Sequence, residues 1–147
     1  MMSRILDMSH MSFREKSAWI SFITILLIFG AYFWRVAQVL RGEARFPFEI
    51  AVAFLIAFVL VEIAAHIVVG LQAPKDVRAP QDERERLIEM RATRVAFQVL
   101  VLGALAGVGT MHLTQSVWVM SQAVLLAIVV AELVKFGGQI LYFRRGV

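Results

Sequence analysis

Glu62, His66, Glu132 and Lys135 lie inside long apolar runs of this 147-residue sequence. An ionisable side chain costs free energy in lipid, so each is a candidate functional group by default. Glu62 and His66 are four residues apart and share one helical face. Counted along a helix, Glu62 sits about 4 Å from the bilayer midplane, Glu132 about 8 Å, His66 about 10 Å and Lys135 about 12 Å, all on one side. If the second and fourth helices are neighbours, these four form one polar cluster. Three kinds of chemistry suit it. The plainest is a structural network that fixes helix register, each interhelical contact contributing about 1 kcal/mol. Another is a proton or cation pathway in which a desolvated carboxylate exchanges a proton with His66. The third is a metal held by Glu62, His66 and Glu132, whose N/O ligands suit zinc or manganese but whose spacing matches no established motif. No metal and no cofactor is expected.

Other chemistry is absent from the sequence. There is no cysteine, and so no disulfide, thiolate zinc site or cysteine nucleophile. No nucleotide-binding glycine loop, G-x-S-x-G elbow or H-E-x-x-H occurs. His112 falls near the opposite membrane face from His66, about 20 Å away along the normal, too far for one haem to bridge. An enzyme is not expected.

The elements that must position these residues follow from composition. The chain is 60% hydrophobic and 18% charged, with a mean hydropathy of +0.75, well to the apolar side of soluble domains. A soluble domain of this size leaves too much surface exposed to hide that content. Crossing roughly 30 Å of hydrocarbon takes about 20 apolar residues, and four runs suffice: 18–40, 48–71, 95–114 and 117–136, the last able to continue to Phe143. The first shows no small-x-small cleavage site and reads as an uncleaved span.

Lys and Arg set the orientation. Arg4, Arg14 and Lys16, then Lys75, Arg78, Arg84, Arg86, Arg91 and Arg94, then Arg144 and Arg145 lie on one side, against Arg35, Arg41 and Arg45 on the other. That bias places both termini and the 72–94 loop in the cytoplasm. The net charge of +4 is therefore a topology signal rather than a nucleic-acid footprint. Trp19, Trp34 and Trp118 near the span ends read as lipid-facing anchors. The expected fold is an all-α integral membrane four-helix bundle, made of two transmembrane hairpins, forming a single membrane domain.

Within the loop, Pro74 and Pro80 exclude a continuous helix. Asp82 with Glu85 three residues on resembles a capping box, after which 83–94 can run into the third span. Gly103-x-x-x-Gly107 gives a small-residue face suited to close packing, inside the bundle or across a homodimer. Glu62 and Glu132 sit at similar depths in the second helix of each hairpin, a faint echo of duplication.

Asp82-Glu83-Arg84-Glu85-Arg86-Leu87-Ile88, followed by Arg91-Ala92, resembles a family of small uncharacterised prokaryotic multi-pass membrane proteins. Their shared segment is D-E-R-x-x-x-I ahead of a hydrophobic hairpin. The resemblance covers the loop and the last two spans, while the first hairpin matches in hydropathy. It implies an inner (plasma) membrane protein without assigned activity or catalytic residues, and a role for the charged loop. The leading expectation is a non-enzymatic accessory or regulatory protein that docks a cytoplasmic or membrane protein through Asp82, Glu83, Arg84, Arg86 and Arg91. The alternative is a small proton- or cation-coupled transporter, working as a homodimer, with Glu62, His66 and Glu132 as the pathway.

Overall fold

The computed structural model describes residues 13–42, 45, 48–72 and 82–145. Arg4, Pro74, Lys75, Arg78 and Pro80 lie outside them. Four helices account for nearly all of the described residues, and no strand occurs among them: α1 (Phe13–Leu40), α2 (Phe48–Gln72), α3 (Glu83–Thr114) and α4 (Val117–Arg145). All four are long and apolar enough to cross a membrane. The protein is an all-α membrane bundle.

Three helices outrun the apolar stretches. α1 begins at Phe13, before residue 18, and α4 continues to Arg145, past residue 136. α3 starts at Glu83, so the second half of the 72–94 connection is helix. At 32 residues, α3 is about 48 Å long against roughly 30 Å of hydrocarbon.

The helix ends have local causes. α1 closes with the Arg41 and Gly42 amides donating to Ala37 and Val39 carbonyls. Gly42 takes φ +76°, a left-handed turn that glycine adopts without a Cβ penalty. Asp82 caps α3 through its backbone, its carbonyl accepting from the Arg86 amide at 3.0 Å. The expected capping box is not made: the Asp82 side chain forms no cap bond. Glu85 is instead drawn to Arg14 of α1 at 3.0 Å, a charge-assisted contact stronger than a neutral hydrogen bond to backbone. A two-residue turn joins α3 to α4. Gln115 adopts φ 52° and donates its amide to Met111, and the Ser116 hydroxyl accepts from the Val119 amide at 3.3 Å to cap α4.

Packing runs in the order α2–α1–α4–α3, with α1 on α2 and α4, and α4 on α1 and α3. The buried face of α1 reads Ala18, Ser21, Ile25, Phe29, Tyr32, Val36, spaced by threes and fours as one helical stripe requires. Its apolar part meets Val129 of α4, flanked by Phe54 and Phe58 of α2 and by Leu125, Leu133 and Phe136 of α4. On α3 the buried positions Ile88, Ala92 and Ala96 recur every fourth residue. Leu60, Phe97, Leu102 and Leu105 point outward, more than half exposed. Such a surface suits a hydrocarbon solvent.

Candidate functional site

Glu62 and His66 face α1, whose small hydroxyl residues make room for them. The Ser21 hydroxyl donates to Glu62 Oε2 at 3.1 Å, and His66 Nδ1 lies 3.1 Å from the same oxygen. His66 Nδ1 is also 2.8 Å from the Glu62 backbone carbonyl. A carbonyl only accepts, so Nδ1 carries a proton in this geometry. The other ring nitrogen, Nε2, sits 2.9 Å from Ser17 Oγ. Glu62 Oε1 is buried and has no hydrogen-bond partner among the described residues. A buried acceptor left unpaired forfeits its hydration without return.

Glu132 and Lys135 form a separate pair on α4. Lys135 Nζ donates to Glu132 Oε2 at 2.9 Å and lies 4.7 Å over the Phe136 ring. The single four-residue cluster is not assembled. Its premise was that the second and fourth helices are neighbours, and α1 is instead the partner of both. No group of three or more His, Asp or Glu side chains able to hold a metal occurs among the described residues.

At the end of the molecule where α1 begins, α3 begins and α4 finishes, the three helices form a short stub. Arg14 bridges Glu85, Arg144 approaches Glu15 at 3.8 Å, and the Arg144 guanidinium lies 5.2 Å over the Trp19 ring. Trp19 is therefore packed against α4 rather than standing alone in lipid, while Trp34 is exposed and Trp118 packs against the core. Within the stub is a cavity of about 280 Å³, whose polar lining is Arg14, Ser17, Glu85, Glu89, Lys135 and Gln139. Ser17 borders this cavity and also touches His66.

The charged segment sorts by helical face. Ile88 and Ala92 are buried, and Glu85 and Glu89 turn to the cavity. Asp82, Glu83, Arg84, Arg86, Glu89, Arg91 and Arg94 are exposed. Arg84, Leu87, Arg91 and Arg94, at spacings of three, four and three, line one flank.

Gly103 and Gly107 face α4. A Cβ at Gly103 would lie 2.8 Å from Ala127 Cβ, and one at Gly107 3.0 Å from the Val124 amide nitrogen. The small-residue face is thus filled internally. The sequence singles out neither Ser17 nor Ser21, nor the Tyr32 hydroxyl, which donates to Gln122 at 2.7 Å, and it does not pair Arg14 with Glu85. The signal for the first two was present: Ser17, Ser21 and Thr24 are a hydroxyl stripe at i, i+4 and i+7 in an apolar run.

A family model described as "Predicted membrane protein (DUF2178)" matches residues 14–147. The match extends through the first hairpin, beyond the loop and the last two spans. No curated protein and no solved structure matches the chain.

Proposed function

The chain belongs to the predicted membrane protein family DUF2178, and from that membership we propose that it is a non-enzymatic accessory or regulatory protein of the prokaryotic inner membrane. In this reading the stub faces the cytoplasm, as the Lys and Arg bias supports. It docks a protein partner through the outer face of residues 82–94.

One observation carries the reading: the stub presents that face as a fixed basic surface. Ile88 and Ala92 are buried beneath it, and Arg14 withdraws the Glu85 charge. Four exposed arginines (Arg84, Arg86, Arg91 and Arg94) then stand against three exposed carboxylates, Asp82, Glu83 and Glu89, beside the half-exposed Leu87 and Met90. Guanidinium forks with adjoining apolar area suit a partner that offers carboxylates around an apolar ridge.

The test is purification of the intact protein from its native membranes in mild detergent, with mass analysis of what accompanies it. A stoichiometric protein partner is expected. It should be lost from an Arg84→Glu, Arg86→Glu, Arg91→Glu variant and kept by Glu62→Gln. A partner that survives the reversals overturns the reading, as does a preparation carrying only anionic lipid, which would assign the arginines to headgroups.

A further inference from the structure

We propose that Ser17, His66 and Glu62 form a proton relay through which the stub cavity loads Glu62. Three observations meet here. Ser17 borders the polar cavity and contacts His66 Nε2 at 2.9 Å. His66 Nδ1 contacts Glu62 Oε2 at 3.1 Å. Glu62 Oε1 is buried without a hydrogen-bond partner among the described residues, so ionised Glu62 keeps charge on an oxygen that none of them pairs. A chain of polar groups thus runs from an open cavity to a part-buried carboxyl with one under-satisfied oxygen.

The backbone fixes the direction of the relay. Nδ1 faces the Glu62 carbonyl at 2.8 Å and carries a proton, which leaves Nε2 of the neutral ring to accept from the Ser17 hydroxyl. A hydronium in the cavity gives a proton to Ser17 Oγ as the serine passes its own to Nε2, forming imidazolium. The Nδ1–H bond then breaks as an Oε2–H bond forms, leaving a neutral carboxyl and a neutral ring protonated at Nε2. One proton has moved from water to Glu62, and nothing is oxidised or reduced. In that state Nδ1 lies unprotonated against a carbonyl oxygen. This repulsion favours return and makes loading reversible.

The surroundings leave the relay to its own groups. α1 faces Glu62 with uncharged Ser21 and His66 with uncharged Ser17, and α2 contributes His66 beside Glu62. Around the cavity the charged groups are Arg14 of α1, Glu85 and Glu89 of α3, and Lys135 of α4. Glu132 is held by Lys135. This inference stands apart from partner docking, since it uses α1 and α2 and none of the exposed arginines.

The full chain in phosphatidylcholine vesicles provides the test. After a rapid acid jump, infrared difference spectra should show the C=O stretch of a newly protonated carboxyl in the wild type and not in Glu62→Gln. Ser17→Ala should delay that band about tenfold or more, whereas Ser21→Ala, off the route, should stay within about twofold of wild type. Dicyclohexylcarbodiimide, which attacks protonated carboxyls in apolar surroundings, should label Glu62 of the wild type at low pH and lose it as pH rises. Labelling of Glu132 alone, or an unchanged band in Glu62→Gln, overturns the relay in favour of a structural network. A Ser17→Ala response as fast as wild type overturns the route. Protection of Glu62 by sodium at fixed pH overturns proton loading in favour of a cation site.

Discussion

Tyr32 shows how much one atom decides in this bundle. Its ring packs edge-on against Phe29, Phe33 and Phe54, and Tyr32 is only 2% exposed. Its hydroxyl is spent on Gln122 of α4 at 2.7 Å. Tyr32→Phe keeps the ring contacts and leaves the Gln122 oxygen unpaired between α1 and α4. A loss of about 0.5–1.5 kcal/mol is expected, read as a lower denaturant midpoint in mixed micelles. At this scale the sequence was partly legible. Glu62, His66, Glu132 and Lys135 stood out because charge in an apolar run is conspicuous. Tyr32, Ser17 and Ser21 did not, because hydroxyl residues are tolerated anywhere in a span and only their partners give them meaning. Trp19 is the instructive miss: a tryptophan near a span end is ordinarily an anchor, and Arg144 stacks on this one.

The α3–α4 hairpin shows what an element can and cannot reveal alone. Gly103 and Gly107 announced a close approach by their spacing, and the structure supplies the partner, Ala127 and Val124 of α4. The obstruction at Gly107 includes the backbone of Ala123 and Val124, which cannot swing aside as a flexible side-chain tip can. Gly107→Val should therefore push the two helices apart and destabilise the hairpin by about 1–3 kcal/mol in the same micelle titration. Gly109→Ala, with nothing within 4 Å of the added carbon, should be neutral or slightly stabilising. The span lengths were legible because hydrocarbon thickness fixes them. The start of α3 near Glu83 and the run of α4 past residue 136 were legible as well, but the start of α1 at Phe13 was not, since helices here continue beyond the apolar run on contacts made to one another. Arg14 with Glu85 and Arg144 with Glu15 extend helices that hydropathy ends early.

For the whole molecule, the consequence of the packing order is that α1 and α4 form the seam between hairpins, with α2 on one side and α3 on the other. The absence of cysteine makes this order directly testable. A Cβ at Gly138 would lie 3.4 Å from Ala92 Cβ, close to the separation of about 3.8 Å in disulfides. An Ala92→Cys, Gly138→Cys variant should cross-link within one chain in membranes under mild oxidant. A Gly30→Cys, Gly138→Cys variant should not, because nothing approaches within 4 Å of a carbon at Gly30. The opposite pattern, read by mobility on denaturing gels, would place the helices in another order.

The sequence by itself determined that this is an all-α membrane protein with four spans. Both follow from solvent physics: hydrocarbon demands about 20 apolar residues per crossing and self-satisfied backbone. It also marked where charge falls inside an apolar run and where small residues permit contact. Which helices become neighbours was decided only in three dimensions. Lipid-facing and bundle-facing apolar side chains read alike in a sequence, so helix order is set by side-chain fit and polar pairing. That choice put α1 between the expected partners, gave Glu62 and His66 to the serines of α1, and left Glu132 with Lys135.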